Sequence, residues 1–294
     1  MSVVPLPAAP LRPVGPGAIR LVRLVRRHPE AVIGAGLLAL MLFVSLAAPL
    51  LGAGDPRALS VAERLAAPSP RHLFGTDELG RDLYARALYG GRISLAVGFF
   101  AALFSAFLGA LIGVIGGSSR RLDDVLMRIM DGLMSIPSIL LAIALMAVAG
   151  ASVQNVILAV TVVETPRVAR LVRSVVLSIR ELSYVEAAIA AGSSPSQIIV
   201  RHYLPGIWAP LAVQATFLWG AAMLIEAALS FIGAGTPPSI PSWGNIMAAG
   251  KSLWQVRPGL IFIPAIFLSA TVLGVNLLGD GLRKALDPKT RGGM

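Results

Sequence analysis

In this 294-residue chain, the side chains whose types and spacing could do work lie in one short polar stretch and at two isolated carboxylates. The stretch reads Ser183-Tyr184-Val185-Glu186-Ala187-Ala188-Ile189-Ala190-Ala191-Gly192-Ser193-Ser194-Pro195-Ser196-Gln197. Ser183 and Glu186 have the S-x-x-E spacing of a capping box, in which each side chain satisfies a free backbone N–H at a helix start. Ser194 and Gln197 repeat the pattern, with Pro195 at the favoured first helical position. Gly192 stands where the first helix must stop, since glycine enters the left-handed region without steric cost. Pro205 is placed to close the second. Two short, stiff helices are predicted, over about 184–191 and 195–204, joined by a tight turn.

The isolated carboxylates are Glu164 and Glu226, each inside an apolar run. Ionisable groups at such depth are functional positions by default. For Glu226 the competing role is an inter-helix hydrogen bond, and for Glu164 an ion pair with Arg167 or Arg170. Other chemistry finds no set of residues. The chain has no cysteine, which removes disulfides, thiolate metal sites and a thiol nucleophile. His28, His72 and His202 are too scattered for a metal cluster. Residues 244–252 imitate a phosphate-binding loop, but five residues separate Gly244 from Gly250 where four are required, and no strand precedes them.

The elements that must hold these residues are membrane helices. The chain is 56% hydrophobic and 14% charged, with a mean hydropathy of +0.78, whereas ordinary soluble domains are roughly 25% charged. The apolar surplus must face lipid. Its net charge of +10 is spread beside the apolar runs instead of forming one basic face, which argues against a nucleic-acid binder. A membrane span needs about 20 apolar residues. Residues 31–54 form the first; they are too long for the roughly 7–15-residue core of a cleaved signal peptide. Further spans are expected at 93–119, at about 125–149 with Pro137 inside, at about 153–176, at 207–231 and at 258–279. Gly109, Gly113 and Gly117 share one face of the second span, a spacing that lets helices pack closely in lipid.

Six spans with both termini cytoplasmic place Arg20, Arg23, Arg26 and Arg27, then Arg120 and Arg121, the arginines from Arg167 to Arg201, and Arg283 and Lys284 on the inner side, as the positive-inside rule demands. The stretch around Gly192 is then cytoplasmic, and Arg167, Arg170 and Arg173 are expected to reach toward inner headgroups. In the 52–92 segment Thr76 is placed to cap a helix with Asp77 and Glu78 in its first turn, and Leu79, Leu83 and Ala87 fall on one face of a helix lying on the membrane surface.

Glu186-Ala187-Ala188, three residues, Gly192, nine residues and then His202-Tyr203-Leu204-Pro205 resemble the EAA loop of ABC importer permeases, EAA-x3-G-x9-I-x-L-P. His202 stands where isoleucine is usual. Residues 72–82, 226–233 and 276–283 are similar to the dipeptide, oligopeptide and nickel permeases, the "C"-type member of the pair. The resemblance implies an all-α type I importer transmembrane domain over residues 93–282, with the EAA-like loop at 183–205. Residues 1–30 would then be a flexible basic tail, 55–92 an extracytoplasmic loop with an interfacial helix, and 283–294 a cytoplasmic tail. It also implies a non-catalytic inner-membrane subunit that binds no cofactor, with ATP and Mg held by two separate ATPase subunits. Its other partners would be a second, homologous permease, an extracytoplasmic solute-binding protein and membrane lipid, with no nucleic acid. Ser183, Glu186, Ala187, Ala188, Gly192, Pro195 and Pro205 would couple it to the ATPase. The 52–92 segment would be either a ledge for the binding protein or an interfacial anchor. The substrate class would be peptides, glutathione-like compounds or nickel. An ion-coupled transporter working alone is the rival; it would favour internal repeats and broken helices, and no repeat is visible. A membrane enzyme would need a convergent nucleophile, base or metal set.

Overall fold

The computed structural model describes residues 29–286, so the proposed tails lie almost wholly outside the described residues. Within them the chain is helical, with one isolated bridge between Thr76 and Asp82 as its only extended pairing. Helix α1 spans Pro29–Leu46, α2 Leu83–Ser118, α3 Arg120–Met134, α4 Ser138–Ala149 and α5 Val153–Arg180. Then follow α6, Ser183–Ala190; α7, Pro195–Ile198; α8, Leu204–Phe231; α9, Trp243–Gly250; and α10, Gly259–Leu286.

Helix α2, 36 residues long, is the spine. It begins where Asp82 accepts the Ala85 N–H at 3.0 Å. Lower down it packs on α5 through the small residues singled out above. A Cβ at Gly109 would come within 2.4 Å of the Val168 side chain, one at Gly113 within 2.6 Å of the Ala169 carbonyl, and one at Gly117 within 2.7 Å of Val176. Without an apolar driving force between helices in lipid, such close backbone approach supplies the dispersion contacts that hold them. Helix α1 lies on α10 by the same device: a Cβ at Gly34 would sit 2.4 Å from the Leu278 nitrogen. Lys284 closes the end of this pair by donating to Glu30 at 2.5 Å.

Four segments are long and apolar enough to cross a membrane: Pro29–Leu46, Leu83–Ser118, Pro195–Phe231 and Gly259–Leu286. The expected third span is not one straight helix. It divides into α3 and α4, bent by 90° at Ser135–Pro137, and counts as a fifth span only if the bent pair is taken together. Proline removes a backbone donor and forces the preceding residue out of the helical region, which is why the chain turns there. Helix α5 is long enough, at 28 residues or about 42 Å by helical rise, but Glu164, Arg167, Arg170 and Arg173 make it less apolar than the others. The sixth expected crossing depends on this helix alone.

Three further expectations need correcting. The first span stops at Leu46, short of residue 54. Pro49 removes a donor, and the Arg92 guanidinium takes the Ser45 and Leu46 carbonyls at 2.8 Å each. No helix starts at Thr76. Residues 47–82 form an irregular loop whose one helical turn is Val61–Glu63, and Leu83 and Ala87 belong to α2. Finally, Arg170 and Arg173, expected to point to headgroups, are engaged by acids of this chain. Arg170 donates to Asp131 at 2.6 Å, and Arg173 pairs with Asp123, both acids of α3.

Candidate functional site

The polar stretch folds as an elbow between α5 and α8. Its turn is held by two reciprocal bonds. The Gly192 N–H reaches the Ile189 carbonyl at 2.9 Å, and the Ser193 N–H reaches Ala188 at 3.1 Å. That is a Schellman stop, and Gly192 adopts the positive φ of +87° that it requires. Space has no part in this: a Cβ on Gly192 would meet nothing within 4 Å of this chain. The second helix opens with a complete capping box. Ser194 Oγ accepts the Gln197 N–H at 3.4 Å, Gln197 Oε1 accepts the Ser194 N–H at 3.0 Å, and Pro195 is the first helical residue.

The first capping box does not form. Ser183 is already inside α6, Leu182 occupies the cap position, and no side chain bonds there. Glu186 remains in the first turn, where the helix dipole favours a carboxylate. Pro205 does not end the second helix either. Residues Ile199–Tyr203 form a π-helical turn that carries α7 directly into α8. The Pro205 ring has no donor and crowds the carbonyl four residues back, and the wider turn absorbs that clash.

The elbow is anchored on one side and open on the other. Val185, Ile198 and Tyr203 are buried in one cluster with Val172, Val176 and Ile179 of α5. Facing outward are Tyr184 and Ile189, about half exposed, with Glu186 and Ala187 exposed beside them and Ala188 half-buried. A stiff, partly apolar knob therefore stands on the ends of two long helices. Such a shape suits transmission of a push, because the caps keep it helical while the load is carried to α5 and α8.

The two isolated carboxylates serve different partners. Glu226 is fully buried, accepting from Ser94 of α2 at 3.2 Å and from Ser230 at 2.8 Å. Ser94 Oγ also accepts the Trp243 N–H at 3.2 Å, so this network ties α8, α2 and α9 together. Glu164 is buried behind Arg167, whose Nη1 donates to it at 2.9 Å. Neither acid is among the residues lining the cleft between α5, α8 and α10. Two polar side chains that do line it, Gln214 and Asn276, were not singled out from the sequence. This cleft, of about 240 Å³, is lined by Arg167, Gln214 and Asn276 among apolar neighbours. The signal was present as two amides inside apolar runs, but hydropathy averages them away. No group of three or more His, Asp or Glu side chains able to hold a metal ion occurs among the described residues.

An α-helical membrane bundle with an exposed, doubly capped elbow between two of its long helices is the architecture of a transport permease. Residues 92–292 match the model of the family described as "binding-protein-dependent transport system inner membrane component", and the chain belongs to that family. It is an integral inner-membrane protein, and it is similar to permease subunits along almost its whole length. It is 49% identical to a probable peptide ABC transporter permease of Sinorhizobium fredii, over 92% of this chain and 93% of that one. With a dipeptide transport system permease of Alkalihalophilus pseudofirmus it shares 40% identity, over 91% and 88%. With a glutathione transport system permease of Escherichia coli it shares 39%, over 92% and 90%. Among solved structures, a chain of the MetNI methionine ABC transporter in an inward-facing conformation aligns with a TM-score of 0.58. At 23% identity, over 68% of this chain and 96% of that one, it establishes the type I importer fold.

Proposed function

We propose that this permease forms half of the membrane pathway of an ATP-driven importer for peptides or similar small solutes, and that the α6–α7 elbow is where an ATPase subunit grips it. The reading requires a second, homologous permease, two ATPase subunits carrying ATP and Mg, an extracytoplasmic solute-binding protein and surrounding lipid. It places both termini and the elbow in the cytoplasm. This chain supplies no catalytic residue and binds no cofactor. The names of its relatives support peptides as the substrate class.

The observation that carries the reading is the elbow, locked by a Schellman stop and a capping box and standing proud of the bundle with Tyr184 and Ile189 outward. Gly192→Val tests it. The importer assembled with its partner subunits is expected to fold but to lose solute uptake and the ATPase stimulation that normally accompanies it. Wild-type uptake with normal stimulation in that variant would refute the coupling role. Because the natural chain has no cysteine, Ser193→Cys gives a single label. Modification of that site only from the outer side would remove the elbow from any ATPase. Uptake that proceeds with the ATPase subunits absent would instead favour the ion-coupled transporter.

A further inference from the structure

Gln214 of α8 and Asn276 of α10 are half-buried in helices otherwise rich in apolar residues, and neither amide has a hydrogen-bond partner among the described residues. An amide without a partner is strongly disfavoured in an apolar medium. Both line the same cleft as Arg167, and its roughly 240 Å³ is far above the ~15 Å³ that one water needs. This cleft is therefore wet or filled by a polar solute, not by lipid tails.

Arg167 lies halfway along α5, and its side chain is half exposed. Glu164, buried beneath it, accepts from Nη1. That bond fixes the guanidinium and leaves its remaining donors without a partner among the described residues. A planar cation with free donors, flanked by two amides that each offer a donor and an acceptor, matches a carboxylate attached to a peptide unit.

We propose that Arg167, Gln214 and Asn276 form a solute-contact site in the middle of the membrane pathway, reading a carboxylate and the adjoining amide of the passing solute, with Glu164 as the positioning residue for Arg167. The proposal rests on the permease reading above and adds to it the place and chemistry of contact.

The test uses the full importer in native membranes, with Gln214→Cys or Asn276→Cys as the single thiol. Each thiol is treated with an anionic and a cationic methanethiosulfonate reagent, and the ratio of rates is divided by that of a free thiol in solution. Both thiols are expected to react, whereas Leu273→Cys, exposed on α10 away from the cleft, stays inert. The normalised preference for the anion should rise about fivefold in Glu164→Gln and fall about fivefold in the Glu164→Gln/Arg167→Gln double variant relative to it, as expected for one charge at close range. The double variant leaves no unpaired buried carboxylate, so loss of folding does not mimic the result. Millimolar alanyl-alanine should slow labelling in the wild-type background, and its C-terminal amide should not.

Inert thiols, or a preference that is the same in all three backgrounds, would overturn the site. So would equal protection by the acid and the amide. ATP-dependent uptake by the unsubstituted importer is measured in parallel. Its absence would sink the permease reading, while intact uptake with an indifferent labelling series would sink only the contact site.

Discussion

The elbow at residues 183–205 and the long loop at residues 47–82 both connect long helices, and both were expected to contain short helices begun by capping side chains. Only the elbow does. Its bonds are local: Ser194 to Gln197 and Gly192 to Ile189 each span three residues. The long loop is held from afar. Thr76 Oγ1 accepts the Ala66 N–H at 2.8 Å, Arg64 Nε reaches the Glu78 carbonyl at 2.6 Å, and Arg257, just before α10, donates to the Leu65 carbonyl at 2.8 Å. At its centre Asp77, almost fully buried, accepts the N–H groups of Leu79 and Arg81 at 2.9 Å each and the Arg81 guanidinium at 2.6 Å. Arg86 of α2 lies 3.6 Å from the same carboxylate. The elbow is thus a stiff body on a narrow base, able to move with its helices. The loop is fastened to α2 and to the segment before α10 at once and moves only with both of them.

The largest effect should come from breaking the loop. Asp77→Ala strands Arg81 and Arg86 beside each other in a buried site without their shared carboxylate. Removing one partner of such a group is unfavourable by about 3–5 kcal/mol. Thermal unfolding of the purified chain in detergent should show a lowered midpoint, with residues 60–80 becoming the first protease-sensitive segment. If Asp77→Ala leaves both unchanged, the contrast between the two regions is wrong.

A smaller and strictly local effect is expected at the turn of the elbow. Gly192→Val forces a branched residue to a φ of +87°, a strain of roughly 1–2 kcal/mol. Since nothing lies within 4 Å of that Cβ, the strain is conformational, not steric crowding. Gly192→Asn, which tolerates the left-handed region, should recover most of it. Hydrogen exchange at the amides of Gly192 and Ser193 should quicken in the valine variant, recover in the asparagine one, and leave the 47–82 loop untouched in both. Equal disturbance by valine and asparagine would show that a partner surface presses on this position.

How much could be read beforehand follows the same division. The apolar runs, the glycine face of α2 and the Gly192 stop depend on composition or on neighbours three or four positions away, and they stood in the sequence. The span ends did not. Leu46 ends α1 because Arg92, forty-six residues on, takes its carbonyl, and no local rule announces such a partner. The 90° bend at Pro137 was half legible, since proline permits either a mild kink or a break and only packing decides. The polar cleft failed for another reason: Arg167, Gln214 and Asn276 come from three different helices, and each alone reads as a tolerated polar residue in a span.

The finest prediction separates two positions that the sequence makes alike. Ser183 and Ser194 each stand three residues before an acid or amide side chain that could complete a box, yet only Ser194 has an extended backbone and accepts the N–H three residues on. Ser194→Ala should therefore weaken α7 by about 1 kcal/mol, the usual worth of a cap. Ser183→Ala should change α6 by no more than the ~0.5 kcal/mol of an ordinary surface substitution, because alanine at a helical position even improves propensity. Amide exchange within α6 and α7 measures both in one experiment. Equal losses at the two serines would mean that α6 starts one residue later than described, with Ser183 as its true cap. The elbow would then have two matched caps, and its first helix would be as firmly begun as its second.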